Sequence, residues 1–485
     1  MRDPAFHPIR GRIAGAVVCL LVLVCAVACA PAKRGGADAR PAAAGSPARA
    51  AVEALPGDDD SGGTPAVRSV PLTDDNGRTL ILRGANFMGI EFGWFGHQPE
   101  DFRRMASWGF NLVRLPIAWA LLERTPGVYD EAYLDTVSTV VGWAADAGLH
   151  VLVDMHQWQW SPCSQGNGIP AWTCADLPLD IPLPFVWQAQ LFWDRPEYLD
   201  AFVAAWEHVA ARFDHDPRIW GFDLFNEPEA GAHTVPWIFD DGMLRPLYVR
   251  FIAAIRDHHP DARLLVEPSL FHNAGMAFAM DAIPGDLIVY APHVYPGLSA
   301  SGGPYDFPRS AIEDEVRRDR DEADARGWPM LVGEYGISSG VAGAESFARD
   351  AAEVLDAANA GSAWWGYWRD DGSMGLLDAA GNEKEIFLRH VSRPYPRMTA
   401  GTLESYQFDV DEGTFGVRFA TIPGMAPAVE IFLPFERHYP DGFEVSSTDT
   451  EGAWSWAFDD ATGVLAVTCD PGAAEHVVTV TRAER

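Results

Sequence analysis

Gly221-Phe222-Asp223-Leu224-Phe225-Asn226-Glu227-Pro228 is a short apolar run that ends in an amide, a carboxylate and a proline. Residues 221–225 have the length of a buried strand, and the polar end with its proline stops it. Working outward, similar β-like runs occupy residues 81–88, 112–116 and 151–155 before it, and 264–266, 287–290, 330–333 and 363–367 after it. Amphipathic stretches separate most of them, at residues 131–147, 198–213, 244–258, 312–326 and 346–360. Eight strands alternating with helices over about 320 residues are the count of a (β/α)8 TIM barrel. The sequence therefore predicts an α/β barrel over residues 67–392. A doubly wound open sheet is the structural alternative, but no Gly-x-Gly-x-x-Gly follows the first run.

Beyond the eighth run the pattern changes. Residues 405–410, 415–419, 429–433 and 476–480 alternate between apolar and polar and are separated by Gly, Asp and Pro. Residues 393–485 thus read as a C-terminal antiparallel β-sandwich. It carries no cluster of catalytic residue types. Trp454 and Trp456, two apart on one strand face, are expected to pack inward and brace the fold.

The 485 residues are 48% hydrophobic and 21% charged, which excludes a disordered or coiled-coil protein. Thirty-six Lys and Arg stand against 68 Asp and Glu, for a net charge of −32. Such an acidic surface repels phosphate backbones and argues against nucleic acid as a partner.

At the N-terminus, Arg2, Arg10 and Arg12 precede an apolar run over residues 13–27. It has the length of an export-signal core and is short for a membrane span. Ala28-Cys29-Ala30 fits a signal cleavage site, and Ala26-Val27-Ala28-Cys29 resembles an imperfect lipobox that would lipidate Cys29. Residues 1–30 are thus an expected export segment. Residues 31–66, rich in Ala, Gly, Pro and Asp, are an expected disordered linker. The chain is expected outside the cytoplasm, either secreted or anchored as a lipoprotein. In an oxidising compartment Cys163 and Cys174 can close a short disulfide loop, with two unpaired thiols as the alternative. Cys469 reads as a buried small hydrophobe.

Active sites of such barrels lie at the C-terminal ends of the strands. Arg114 ends the second run, Asp154-Met155-His156-Gln157 the third, and Asn226-Glu227-Pro228 the fourth. His293-Val294-Tyr295 follows the sixth, Glu334-Tyr335-Gly336 the seventh, and Trp365-Gly366-Tyr367-Trp368 the eighth. Glu is rarely left at the end of a core strand unless it is paired or functional. Glu227 and Glu334 would face each other across the barrel mouth. Paired carboxylates are the equipment of glycoside hydrolysis, one protonated to release the leaving oxygen and one ionised to attack.

With these residues in place, the chain resembles glycoside hydrolase family 5. Leu112-Val113-Arg114-Leu115-Pro116, Asn226-Glu227-Pro228, His293-Val294-Tyr295 and Gly333-Glu334-Tyr335-Gly336 carry the likeness. Within the family it is similar to the endoglycoceramidases, which hydrolyse glycosphingolipids. The likeness extends over roughly residues 68–482 and includes Gly166-Asn167-Gly168-Ile169-Pro170-Ala171-Trp172 and Arg393-Pro394-Tyr395-Pro396. The resemblance implies Glu227 as acid/base, Glu334 as nucleophile, and a retaining mechanism without metal or organic cofactor. It also implies that Asn226 binds the sugar 2-hydroxyl, that Arg114 and Tyr295 orient Glu334, and that His156 and His293 shape the sugar subsite. Trp365 or Trp368 would stack on that sugar. Two positions depart from the group. Trp158 stands where an Asp is usual after Asp-Met-His-Gln, and residues 86–92 lack the usual Lys. The sugar beside the lipid is therefore left open between glucose, galactose and a modified sugar.

The apolar segment 157–193 is a candidate for receiving an acyl chain or touching a membrane, against the plainer reading that it packs on its own barrel. Two other rivals concern function: a family 5 enzyme acting on polysaccharide or other β-glucosides, and a surface lipoprotein that binds glycans or glycolipids without cleaving them. Gly336-Ile337-Ser338-Ser339-Gly340 matches a nucleophile elbow, but no helix is expected directly after it. Asp58-Asp59-Asp60 lies in the linker and reads as a solvated charge run.

Overall fold

The computed structural model describes residues 69–483 apart from 175–176, 178–182, 233–234 and 274. The expected export segment, the linker and Cys29 lie outside the described residues. A two-residue strand, β1 (Thr79–Leu80), precedes nine parallel segments: β2 (Arg83–Asn86), β3 (Leu112–Ile117), β4 (His150–Met155), β5 (Ile219–Asp223), β6 (Arg263–Val266), β7 (Ile288–Tyr290), β8 (His293–Val294), β9 (Leu331–Tyr335) and β10 (Gly361–Trp364). Their order is β7-β6-β5-β4-β3-β2-β10-β9-β8. β7 and β8 are two halves of one barrel strand, interrupted at Ala291 and Pro292. One half pairs with β6 and the other with β9, so the sheet closes on itself. The nine segments are the eight strands of the predicted barrel.

The strands are buried almost without interruption, as parallel strands covered on both faces must be. Alternation sorts their side chains. Leu112, Leu152, Leu265 and Leu331 belong to an apolar plug inside the barrel, closed by Leu72. Two residues further along their strands, Arg114, Asp154 and Glu267 form a charged layer above the plug. Val113, Val151, Val153, Leu264 and Val332 face the helices and join the main core. Glu131–Asp146 illustrates why these helices form where they do. Asp130 caps it by accepting from the Tyr133 N–H, and Leu134, Val137, Val140, Val141 and Ala144 make one buried face.

The C-terminal part consists of two antiparallel sheets. One runs β1-β11-β14-β17-β16, with β11 (Tyr395–Ala400), β14 (Ala428–Phe432), β16 (Ser455–Asp459) and β17 (Val464–Thr468). The other runs β12-β13-β18-β15, with β12 (Thr402–Asp409), β13 (Thr414–Ala420), β15 (Phe443–Ser447) and β18 (Glu475–Arg482). Because β1 pairs with β11, residues ahead of the barrel complete the sandwich. A buried polar knot ties the two parts together. Arg83 pairs with Asp356 and donates to the Tyr406 hydroxyl at 3.0 Å, and Arg393 reaches Asp356 at 3.2 Å. Gly109 is required by the same contact, since a Cβ there would lie 2.1 Å from the Phe432 ring. Trp454 packs against the sandwich core, but Trp456 does not turn inward. It lies on β16, at the sheet edge, and is 46% exposed.

Most of the apolar segment 157–193 packs on its own barrel. Trp160, Ile169, Phe192 and Trp193 are buried in the main core, and Cys163 and Cys174 are disulfide-bonded. Trp158 and Trp187 remain about half exposed. Residues 175–176 and 178–182 of the segment lie outside the described residues. Cys469 is a buried free thiol. No helix among the described residues is long and apolar enough to cross a membrane.

Candidate active site

Arg114, inside the barrel on β3, is the hub of the site. Its Nε donates to Asp223 at 2.8 Å, and Nη1 to Asn86 and Glu334, each at 2.8 Å. Nη2 donates to Asn226 and Glu267, each at 2.8 Å, and Asp154 lies 3.1 Å from Nη1. The guanidinium is completely buried. Its planar fork suits several carboxylates at fixed angles, which an ammonium could not match. Gly333 makes room for the neighbouring His293, since a Cβ there would lie 3.0 Å from its ring.

Glu227 and Glu334 come together as the strand ends predict. One carboxylate oxygen of each, with a ring nitrogen of His293, lies within 4.8 Å of the others. Glu334 accepts from Arg114 and, at 3.1 Å, from the Tyr295 hydroxyl. Glu227 Oε1 lies 3.0 Å from His293 Nδ1 and accepts from Asn273 Nδ2 at 3.0 Å. The backbone of Glu227 is held in the left-handed region, at φ 41°. Its N–H donates to Glu267 Oε2 at 2.6 Å, and its carbonyl accepts from Gln157 Nε2 at 2.8 Å.

Burial raises the pKa of Glu227, but the hydrogen bond and charge of His293 outweigh it and hold the carboxyl below its ordinary value. Burial also dominates at Glu334, and the Glu227 charge adds to it. The shift there is upward, although His293 and Arg114 oppose it. The imidazole of His293 is pushed well up, since Glu267 and Glu334 overcome its burial. Burial lifts Glu267 to about 8. His293 Nδ1 faces both carboxylates, 3.0 Å from Glu227 and 3.5 Å from Glu334. His156 Nδ1 lies 2.9 Å from Asp154, whose charge raises the imidazole pKa against burial.

The remaining predicted residues line the same mouth. Asn226 accepts from Arg114 and spends one amide hydrogen on the Gln157 carbonyl at 2.8 Å, which leaves its second hydrogen for a ligand. Trp365 stacks on the His156 ring at 5.2 Å and 16°, while Trp368 meets Trp365 edge-on at 6.0 Å. Trp365 is thus the nearer of the two to His156. Sequence reasoning gave no role to Asp223, Glu267, Asn273 or Glu91. Glu267 stands directly after β6, where the argument used for Glu227 and Glu334 applies equally. Asp154, Asp223 and Glu267 have the donor types of a cation site. The Arg114 guanidinium already contacts all three and supplies that positive charge itself.

Residues 73–371 match the cellulase (glycosyl hydrolase family 5) family model, and residues 393–481 match the glycoside hydrolase family 5 C-terminal domain. The chain belongs to glycosyl hydrolase family 5. It is a glycosidase, and the endoglycoceramidases are among its relatives. Endoglycoceramidase I of Rhodococcus hoagii is 28% identical over 384 residues, covering 72% of this chain and 74% of the relative. Endo-glycoceramidase II from Rhodococcus sp., solved with ganglioside GM3, superposes with a TM-score of 0.74 at 28% identity. That match covers 85% of this chain and 99% of the solved one. The same enzyme has been solved as a lactosyl-enzyme intermediate. An endogalactoceramidase structure gives a TM-score of 0.68 at 25% identity over 86% of this chain and all of the other.

Proposed function

We propose that the protein is a retaining β-glycosidase that cuts the bond between glycan and ceramide in glycosphingolipids. The observation that carries this is the close pair Glu227 and Glu334 at the mouth of a family 5 barrel, with Arg114 and Tyr295 both donating to Glu334. Retaining enzymes hold their carboxyl groups about 5–5.5 Å apart, and the oxygen spacing here accords with that class.

Glu334, oriented by Arg114 and Tyr295, is the nucleophile. Both donors favour its charged form, and so it attacks the anomeric carbon although burial raises its pKa. Glu227 is the acid. A seated substrate excludes water and makes the ionised carboxylate costlier, which favours the protonated form that the leaving oxygen needs. Once Glu334 is glycosylated its charge is gone, and Glu227 becomes the stronger acid and can take a proton from water. Asn226 binds the 2-hydroxyl, an interaction that strengthens in the transition state. Trp365 stacks on the reacting sugar beside His156, and Trp368 supports it.

The glycolipid assignment draws on the endoglycoceramidase relatives and on aromatic residues around the barrel mouth. Phe92, Trp94, Phe95, Trp158, Trp187 and Trp237 are each about half exposed or more, and all lie in the connecting segments that follow the C-terminal ends of barrel strands. Such a rim suits a substrate presented from a membrane surface. Export through residues 1–30, with Cys29 as a lipid anchor, would place the enzyme at such a surface.

The test is product analysis by mass on a panel of glycosphingolipids with glucose or galactose next to ceramide, with β-glucan alongside. Intact oligosaccharide plus ceramide is expected. Cut glucan with untouched glycolipid would reject the lipid substrate and leave a plain family 5 glycanase. No turnover on any member, with glycolipid still bound, would favour a binding protein.

A further inference from the structure

Glu227 is gripped by a segment that no sequence motif marks, residues 267–273 after β6. Glu267 Oε2 takes the Glu227 N–H, and the Leu270 N–H donates to the Pro228 carbonyl at 3.1 Å. Tyr248 anchors the start of the segment by donating to the Glu267 carbonyl at 2.9 Å. The segment ends in a single helical turn, Leu270–Asn273, whose last residue donates to Glu227 Oε1.

That turn is pinned from behind. His272 is 1% exposed, and its Nε2 lies 3.0 Å from Asp319, 3.1 Å from Glu322 and 3.2 Å from the Tyr290 hydroxyl. Asp319 and Glu322 belong to the long helix Ser310–Arg326. Arg318, on the same helix, lies beside Asp319 at 3.2 Å. A turn this short has little stability of its own. The buried ion cluster fixes where Asn273 stands.

We propose that Asn273 is a positioning residue for the acid/base carboxyl, held in register by His272. Both side-chain contacts of Glu227, from Asn273 and from His293, fall on Oε1. An amide N–H can only donate, and a carbonyl oxygen accepts better than a hydroxyl oxygen, so Asn273 favours Oε1 as the carbonyl oxygen of the neutral carboxyl. When Glu227 is neutral, its proton is therefore carried by Oε2, the oxygen left for the leaving group. Without Asn273 the carboxyl can place its proton on the wrong oxygen, and acid assistance falls. The inference rests on Glu227 being the acid/base and is independent of the aglycone.

The test uses the full protein and β-glycosides of whichever glycan the parent hydrolyses, one with a 2,4-dinitrophenyl and one with an alkyl leaving group. The first departs without a proton and the second does not. Asn273→Ala should lower kcat/KM for the alkyl glycoside about 10- to 100-fold, the scale of a hydrogen bond to a charged group. The dinitrophenyl glycoside should stay within about threefold. The alkaline limb of kcat/KM should move upward, because a donor to ionised Glu227 is gone. Other groups facing Glu227 are Glu267, His293, Tyr295, Glu334, Arg114 and His156, and none is altered. Asn273→Asp, of nearly the same shape, should show the same selectivity, and His272→Gln a smaller version of it. An equal fall on both substrates with an unmoved pH profile, or no fall on either, would overturn the proposal. So would His272→Gln behaving as the parent, as regards the pin. If the parent cuts glucan rather than glycolipid, the function proposed above fails while this comparison still runs on glucosides.

Discussion

Replacing Tyr295 with phenylalanine removes one hydroxyl and little else. That hydroxyl donates to Glu334 Oε2 at 3.1 Å, inside a pocket where Glu334 is only 5% exposed. Burial and the negative neighbours Glu334 and Glu227 hold the phenol pKa well up, so it remains a donor across the working pH range. A hydrogen bond to a buried charge contributes about 1.5–3 kcal/mol. Arg114 still holds the other oxygen at 2.8 Å, so the carboxylate keeps its place. The loss therefore appears in protonation: at about 1.4 kcal/mol per unit, the Glu334 pKa should rise by about one to two units. The sign follows because the lost donor favoured the ionised form. With Glu334 as nucleophile, the acidic limb of kcat/KM should move up by that amount. The assay is the pH profile of an aryl β-glycoside, with circular dichroism confirming that the variant is folded. An acidic limb that stays in place would refute the role given to Tyr295.

Glu334→Gln should abolish turnover and retain glycolipid binding, read by kinetics and by binding to glycolipid-bearing vesicles. Glu227→Gln should lose far more on an alkyl than on a dinitrophenyl glycoside, with azide restoring part of the lost rate as a glycosyl azide of retained configuration. Reducing the Cys163–Cys174 disulfide, which closes a loop of 11 residues' separation, should cost about 2–3 kcal/mol and lower the melting temperature by several degrees. Trp94→Ala and Trp158→Ala should each weaken vesicle binding about tenfold or more, since each half-exposed indole offers on the order of 100 Å² of apolar surface at about 25 cal/mol per Å². Soluble aryl glycosides should be unaffected by both.

The barrel is legible because strands such as β3, β4, β6 and β9 are runs of Val and Leu that lead into a polar residue, and parallel strands must be apolar on both faces. Its sixth strand is harder to read, because Pro292 cannot donate to a ladder and splits the strand into β7 and β8. The two catalytic candidates are legible for the same reason as the strands, since Glu227 and Glu334 each close an apolar run. Asp223 is hidden within its run, inside the stretch that reads most plainly as strand. Its charge is tolerated only because Arg114 reaches it from β3, a long-range pairing that one sequence does not display. Asn273 is hidden in another way. It sits in a turn without a motif, and its partner Glu227 lies 46 residues earlier. Trp456 departs from the inward packing expected from its spacing because β16 is an edge strand.

Trapping the covalent intermediate tests the central claim most directly. A 2-deoxy-2-fluoro glycoside with an activated leaving group, chosen from the glycan the enzyme accepts, should label one residue, and peptide mass mapping should place the added sugar on Glu334. A label on Glu227, or hydrolysis with inverted configuration and no label at all, would contradict the account.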